Sequence, residues 1–211
     1  MKRAIDIGAA VLGLILLTPL FGIIAAFIKC ESSGPILFTQ ERIGRRFVPF
    51  LIYKFRTMVA EPPAGESPIT VGDDPRITRV GRVLRRAKLD ELPQLINVLK
   101  GEMSVVGPRP ELRRYVEMYR DDYVEILRMR PGITDPASLA YVDEAAILST
   151  FADPHEAYVS SILPAKLSLA KDYVHGSSLA LDCRVIIKTF SRVMFRPRGP
   201  IYAENVSGPG E

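Results

Sequence analysis

The stretch "KLDELPQLINVLKG" at residues 88–101 joins a pair of adjacent carboxylates to a helical hydrophobic period. Its apolar side chains predict an amphipathic helix, because they recur at positions i, i+3, i+4 and i+7: Leu92, Leu95, Ile96 and Leu99. Gly101 stands where a left-handed C-cap ends such a helix. In the simplest interpretation, Asp90 is the N-cap and Glu91 a first-turn acid that the helix dipole favours. Pro93 agrees with this start, because a proline in the first turn gives up no hydrogen bond there.

Cationic residues surround the acidic pair in larger numbers than capping requires. Five of them precede it: Arg79, Arg82, Arg85, Arg86 and Lys88. Arg109 follows in "GPRP" (107–110), where two prolines stiffen the backbone, and a planar guanidinium held in this way suits bidentate contact with phosphate. A carboxylate at a helix N-terminus is expected to stay ionised and to be a competent nucleophile toward phosphorus, and an adjacent Glu can hold Mg²⁺. The residues therefore suggest phosphoryl transfer, with Asp90 as nucleophile and Glu91 as metal ligand, beside the simpler capping interpretation.

Length and composition indicate one domain of ordinary size with an appendage. The 211 residues are 47% hydrophobic and 25% charged, with a formal net charge of +4. This modest basic balance favours an anionic partner, which can be nucleic acid, phosphate or anionic lipid. Cys30 and Cys183 lie far apart without metal-ligand spacing, so we expect reduced thiols and no disulfide framework.

Residues 7–28 contain no charge and predict a retained membrane segment, which we place at residues 1–30. A helix of this length rises about 33 Å, close to one hydrocarbon core, and it is too long for a cleaved signal peptide. Thr18-Pro19 falls in the middle, where the proline removes a backbone donor and bends the helix. Basic residues flank both ends, against the usual bias of a simple span. A kinked span and a re-entrant helix that returns to the cytoplasmic face are both open from these residues.

The remaining patterns predict a small β-hairpin followed by helices. We expect two short strands near 36–40 and 47–55, a turn at Gly44 and a surface loop over 59–76. Helices are predicted over 79–87, from Arg109 to about 130, over 143–151 and 154–173, and near the C-terminus. The last of these has Cys183, Ile186, Ile187, Phe190 and Met194 on one face and Arg184, Lys188 and Arg192 on the other. It suits a helix lying on an anionic membrane or an ordinary packed helix, and residues 196–211 are expected to be a disordered tail.

Taken together, the motifs resemble the bacterial sugar transferases, the monotopic phosphoglycosyl transferases that begin glycoconjugate assembly on a polyprenyl phosphate. The matching stretches follow the family order over most of the chain: the broken helix at Thr18-Pro19, "FTQERIG" (38–44), "YKFRTM" (53–58), "LDELPQLINVLKGEMSVVGPRP" (89–110), "RPGIT" (130–134) and "LALDCRVIIKTF" (179–190). The resemblance is to the small members of the family.

The resemblance implies a ping-pong reaction at the cytoplasmic face of the bacterial inner membrane. Asp90 would attack the β-phosphorus of a UDP-sugar, release UMP and form a phosphosugar-aspartyl enzyme, and undecaprenyl (polyprenyl) phosphate would then accept the phosphosugar. Glu91 would ligate Mg²⁺, and the apolar helix would be re-entrant. The expected fold is α+β and mostly helical, with this membrane helix, a small hairpin and amphipathic interfacial helices around a compact catalytic domain at residues 31–195. A homodimer is possible in the family, and no nucleic-acid partner is expected.

Other positions carry over from the resemblance less directly. Arg56 stands where many relatives have lysine, and it is expected to meet phosphate. Arg85 and Arg109 match positive residues of the family's active site, with structural salt bridging as the rival for Arg85. Asp182 can be only a helix cap and Glu102 only a surface residue. After "RPGIT" the chain reads "DPASLAYVDEAAIL" where many relatives have a tryptophan-containing segment, so no relative predicts the sugar.

Two other functions compete with the transferase. A non-catalytic, membrane-anchored adaptor that binds anionic lipid or nucleic acid explains the charge and the apolar helix, but not the stiffened "GPRP" beside an acidic pair. A metal-dependent phosphatase or pyrophosphatase uses water in place of a lipid phosphate. Turnover by an Asp90→Asn variant tests the first, and acceptor dependence tests the second.

Overall fold

The N-terminal helix α1 (Lys2–Glu31) lies along the rest of the protein in this computed structural model, which describes residues 1–59 and 74–195. It is long and apolar enough to cross a membrane by length and composition. Small residues on its inner side pack on the domain. Ala10 is fully buried, and Gly13 faces the side chain of Leu95. Its outer side leaves large apolar side chains exposed: Ile5, Ile7, Val11, Leu12, Ile15, Leu16, Ile23 and Phe27.

Thr18 and Pro19 lie inside this helix, which continues through both residues. The Thr18 hydroxyl donates to the Leu14 carbonyl at 2.7 Å. The carbonyl that Pro19 leaves without an amide donor is that of Ile15, so the hydroxyl bonds a different carbonyl. The helix is therefore not broken at Thr18-Pro19. That α1 enters the membrane and returns to the same face stays a prediction.

The predicted hairpin is confirmed, with strands β1 (Leu37–Ile43) and β2 (Pro49–Phe55). They pair antiparallel from Leu37 opposite Phe55 to Ile43 opposite Pro49, and Gly44 begins the connecting turn. Side chains alternate along β2, so Phe50, Ile52 and Lys54 share one face. Phe50 and Ile52 are buried on that face against Ala10, Val98 and Met103, which brings Lys54 in beside the following helices.

Helix α2 (Arg79–Arg86) agrees with its prediction, but the start of the next helix does not. Asp90 and Glu91 lie in a 3₁₀ turn (Leu89–Glu91) that precedes α3 (Gln94–Lys100), and Asp90 makes no capping hydrogen bond. The capping interpretation of Asp90 is therefore wrong. Gly101 does end α3 in the left-handed conformation, at φ +85°, as predicted.

A second, unpredicted sheet joins two distant segments, β3 (Ser104–Val106) and β4 (Gly132–Thr134), in parallel. Each strand has three residues, too few to show a period of two in the sequence. The backbones approach closely just beyond β3, where a Cβ on Gly132 would lie only 2.1 Å from the amide nitrogen of Gly107. The two glycines are therefore required where the turn at "GPRP" meets the turn at "RPGIT".

Short helices build the main core and support this second sheet. They are α4 (Arg113–Met118), α5 (Arg120–Ile126), α6 (Pro136–Ala140), α7 (Glu144–Leu148), α8 (Pro154–Ala157), a π turn (Tyr158–Ile162) and α9 (Leu163–Gly176). Their buried side chains form one cluster with Ile43 of the hairpin. The helical predictions after Arg109 are thus confirmed in type but divided more finely. The predicted loop and tail fall largely outside the described residues.

The last helix, α10 (Leu179–Phe195), packs on the domain through Val185 and Asp182, which are buried. The apolar residues that the sequence grouped on one face lie mostly outward, with Ile187 68% exposed and Phe190 66% exposed. These side chains are not part of a core, so the ordinary packed helix is the less suitable of the two interpretations. Asp182 is more than a cap, because its carboxylate forms a salt bridge with the Lys2 ammonium and accepts a hydrogen bond from the Tyr173 hydroxyl.

Candidate active site

Strand β2 and helix α3 are fastened together by one buried amide. Asn97 is fully buried, accepts the backbone N–H of Tyr53 at 3.1 Å and donates to the Leu51 carbonyl at 2.7 Å. It also donates to Glu102 at 2.8 Å, which gives Glu102 a structural contact. Because Tyr53 directly precedes Lys54, Asn97 fixes the position of that lysine relative to the acidic pair.

Glu91 is held by two cations that come from different parts of the chain. The Lys54 ammonium lies 2.8 Å from Glu91 Oε1, and the Arg109 Nη2 lies 2.7 Å from the same oxygen. The other oxygen, Glu91 Oε2, lies 3.5 Å from Arg109 Nη1. Burial alone would raise the pKa of Glu91, but the charges of Arg109 and Lys54 outweigh it and hold the pKa well below its usual range. Glu91 is therefore a fixed negative charge.

Asp90 lies beside this cluster without a comparable partner. Its side chain is buried, at 7% exposed, and no hydrogen bond to either carboxylate oxygen is found within residues 1–59 and 74–195; Oδ1 is fully enclosed. Burial raises the pKa of Asp90, and the charge of Lys54 opposes that rise. This direction differs from the expectation that a helix N-terminus would keep the carboxylate ionised. A buried carboxylate without a donor is unusual in a folded protein, and the cost points to a function.

Arg85 and Arg109 both lie near the acidic pair, and their expected contact with phosphate stays a prediction. Arg85 donates from Nε to the Thr57 hydroxyl at 2.9 Å, and its charge acts on Asp90. Burial lowers the pKa of Arg85, against the opposing charges of Asp90 and Asp74. The charge of Glu91 raises the pKa of Arg109. The guanidinium of Arg85 thus acts on Asp90, and that of Arg109 is paired with Glu91.

Arg56 is not brought to the acidic pair. Its buried guanidinium donates to the carbonyls of Ser32 and Ser33, at the end of α1, and to the Ser32 hydroxyl. The side chain therefore ties the end of the N-terminal helix to β2. Its expected contact with phosphate has no support in these bonds.

Lys54 is the site residue that the sequence analysis missed. The signal was present, because a cation stands on the same strand face as Phe50 and Ile52 in a predicted strand. A charge on an otherwise apolar strand face needs a buried partner, and Glu91 is that partner. Burial lowers the pKa of Lys54, and the Glu91 charge opposes the change.

The carboxylates of Asp90 and Glu91 fit a divalent cation whose remaining ligands are substrate oxygens. No cluster of three or more His, Cys, Asp or Glu side chains occurs in the described part of the chain, so a closed metal cage is not built here. Mg²⁺ on phosphate substrates commonly uses only one or two carboxylates. Within residues 1–59 and 74–195, no hydrogen-bond donor reaches Asp90 and Glu91 Oε2 has only its 3.5 Å contact with Arg109, so both carboxylates have capacity left for such an ion.

Fold and site together describe an α+β domain that sets an acidic pair among cations and docks on a long apolar helix. A profile of the family described as Bacterial sugar transferase matches residues 1–196. The chain therefore belongs to the bacterial sugar transferase family.

Named relatives are similar over nearly the whole chain. The UDP-N-acetylgalactosamine-undecaprenyl-phosphate N-acetylgalactosaminephosphotransferase of Aeromonas hydrophila is 35% identical, over 92% of this chain and 44% of its own length. The undecaprenyl-phosphate glucose phosphotransferase of Komagataeibacter xylinus is 37% identical, over 92% of this chain and 36% of its own length. The exopolysaccharide production protein ExoY of Rhizobium meliloti is 42% identical, over 91% of this chain and 84% of its own length. The chain thus spans less than half the length of the first two.

Proposed function

We propose that the protein transfers a sugar-1-phosphate from a UDP-sugar to undecaprenyl or another polyprenyl phosphate, with Asp90 as the nucleophile. One observation carries the proposal. Among the described residues, Asp90 is the buried carboxylate that has no hydrogen-bond donor, while Arg85, Lys54 and the other cations of the site surround it. The names of the relatives, which act on undecaprenyl phosphate and UDP-N-acetylgalactosamine or glucose, support the same reaction class.

The chemistry proceeds in two displacements at one phosphorus atom. An Asp90 carboxylate oxygen forms a bond to the β-phosphorus, the bond from that phosphorus to the bridging oxygen breaks, and the electron pair leaves with UMP. An oxygen of the polyprenyl phosphate then attacks the same phosphorus and breaks its bond to Asp90. The product is a polyprenyl diphosphate sugar, the carboxylate is restored, and no proton is consumed overall.

The other residues of the site stabilise and orient the phosphates. Arg109 and Arg85 would neutralise charge on the transferred phosphoryl group and the departing phosphate. Lys54 and Arg109 keep Glu91 ionised, so Glu91 is available as an oxygen ligand. A Mg²⁺ ion bound there with phosphate oxygens would supply further charge neutralisation.

Both ends of α1 are bonded to the same domain, which supports a re-entrant placement. At the N-terminal end, Arg3 donates to the carbonyls of Val98 and Leu99. At the C-terminal end, the Glu31 carboxylate accepts the backbone N–H groups of Arg79 and Val80. A straight span would carry one end across the bilayer and away from these partners. We therefore place both ends, and the active site, on the cytoplasmic face, with the exposed side of α1 in the lipid and the outward face of α10 at the interface.

The test is a measurement of UMP release from a panel of UDP-sugars with Mg²⁺ and undecaprenyl phosphate. The expected result is acceptor-dependent UMP from one donor, and a lipid-linked sugar diphosphate as the second product. Release of sugar-1-phosphate or inorganic phosphate in the absence of acceptor would instead identify a hydrolase. An adaptor would turn over no donor while still binding anionic vesicles.

Omission of the acceptor tests the covalent step separately. The intact mass of the protein should rise by one phosphosugar group when donor and Mg²⁺ are present, and Asp90→Asn should show no such adduct. An unchanged mass in the native protein, together with normal turnover, would replace the two-step path by direct transfer.

A further inference from the structure

The backbone N–H of Arg109 is the single amide donor in the triplet Pro108-Arg109-Pro110, because proline carries none. That N–H donates to Asp135 Oδ2 at 3.2 Å. The Asp135 side chain is buried, with Asp135 only 1% exposed. The residue that presents its guanidinium to Glu91 is thus held at its backbone by a buried carboxylate.

This bond continues the small parallel sheet beyond its last strand residues. Backbone bonds join the two segments from Ser104 N to the Pro131 carbonyl (2.8 Å), from Gly132 N to the Pro108 carbonyl (2.9 Å) and from Gly107 N to the Thr134 carbonyl (3.1 Å). The next residue after Asp135 is Pro136, which has no N–H to extend this pairing. The Asp135 carboxylate takes the place of a backbone acceptor for Arg109.

The second oxygen of the same carboxylate fixes its orientation. Asp135 Oδ1 accepts the backbone N–H of Ser138 at 2.7 Å and caps α6. With both oxygens bonded, the carboxylate has little rotational freedom. Its charge also favours the guanidinium of Arg109 electrostatically.

We propose that Asp135 is a positioning residue for Arg109, and this inference rests on the proposed function. It acts through the Arg109 backbone, because its two carboxylate oxygens are bonded to the amides of Arg109 and Ser138. It connects the segment that begins "DPASLAYV" to the catalytic residues, so that α6 and the phosphate-binding arginine move as one unit. Loss of the anchor displaces the guanidinium from Glu91 and from the phosphate position.

The test compares the same substitution at two N-caps. Asp135→Ser keeps a capping oxygen for α6 but loses the second acceptor. Asp153→Ser is the matched control, because Asp153 caps α8 and, in the part of the chain that the structure describes, its side chain is bonded only to the amides of His155 and Glu156. We expect kcat for UMP release to fall on the order of tenfold in Asp135→Ser, because small misplacements of a catalytic group are costly. Asp153→Ser should stay within about twofold of the native rate.

A double-mutant cycle separates positioning from general loss of structure. If Asp135 acts through Arg109, Asp135→Ser should cause no further loss in an Arg109→Ala background. Equal losses in both backgrounds would overturn the proposal, as would equal kcat values for Asp135→Ser and Asp153→Ser. Should Asp135→Ser prove poorly folded by thermal melting, Asp135→Asn, which retains one acceptor and the shape, takes its place in the cycle.

Hydrogen exchange gives a readout that does not require turnover. The Arg109 amide should exchange at least tenfold faster in Asp135→Ser than in the native protein, and at the native rate in Asp153→Ser. An unchanged Arg109 exchange rate would overturn the positioning role even in an active enzyme. Faster exchange in a protein that transfers no sugar would support the anchor and reject the proposed function alone.

Discussion

Buried carboxylates are bonded differently in two regions of this protein. Near the N-terminus, Asp6 accepts the Ser104 hydroxyl at 2.9 Å and the Val105 amide at 3.0 Å. Asp182 is likewise bonded, to Lys2 and Tyr173. At the acidic pair, Glu91 is equally well paired, but Asp90 has no donor among the described residues. A fold supplies partners to buried acids whose role is structural, so an acid left without one is where a substrate is expected to complete the contacts.

The sharpest test of this comparison replaces one acid from each region by its amide. Asp90→Asn should lower turnover by on the order of 10⁴-fold, as losses of a nucleophile do. It should also raise the free energy of unfolding by about 1 kcal/mol, because a buried charge that burial disfavours is removed. Asp182→Asn should do the opposite, with turnover nearly kept and stability reduced by about 1–3 kcal/mol through its weakened bonds to Lys2 and Tyr173.

Thermal melting and UMP release on the two variants decide the matter together. The comparison breaks if Asp90→Asn melts well below the native protein, since Asp90 would then hold an ordinary structural contact. It also breaks if Asp90→Asn keeps native turnover.

The second prediction concerns the paired member of the dyad. Glu91→Gln leaves the partly buried cations Lys54 and Arg109 without their buried counter-charge, and removing one partner of a buried ion pair costs about 3 kcal/mol. Glu41→Gln is the control, because Glu41 and its partner Arg113 are both more than half exposed, and such pairs contribute at most about 1 kcal/mol. Chemical denaturation of both variants measures the difference. Similar small losses for the two would mean that solvent already screens the Glu91 cluster.

Particular elements show how much of the fold and of the site the sequence predicts. The hairpin, α2 and the Gly101 cap follow from local patterns and were predicted, and Asp90, Glu91, Arg85 and Arg109 do come together. The β3–β4 pair was missed because strands of three residues carry no period. Lys54 was missed because its partner lies 37 residues away, and the bond from Lys2 to Asp182 spans 180 residues. Whether a buried acid finds a donor depends on such long-range contacts, so the isolation of Asp90 is visible only in the fold.

The third prediction uses the raised pKa of Asp90. Because the nucleophile must be ionised, single-turnover UMP release should fall as the pH decreases through this pKa, which lies above the usual value of 3.8. Lys54 opposes the rise, so Lys54→Met should move this acid limb to higher pH. Lys100→Met is the matched lysine control, since Lys100 is paired with Glu102, and it should leave the limb in place. A limb that stays unchanged, or moves to lower pH, in Lys54→Met would assign it to a group other than Asp90.

The smallest expected effect concerns α10, whose outward face differs from the buried helices of the core. Cys183 is exposed on the same face as Ile187 and Phe190, so its reaction with a water-soluble maleimide reports whether that face meets lipid. In a Cys30→Ser background, anionic vesicles should slow the reaction about fivefold, since burying one such apolar side chain is favourable by on the order of 1 kcal/mol. Ile187→Glu should restore much of the rate, whereas Val124→Glu, at an exposed apolar position of α5, should not. A Cys183 reaction rate that anionic vesicles leave unchanged in the Cys30→Ser protein would separate α10 from the membrane surface and leave α1 as the lipid contact.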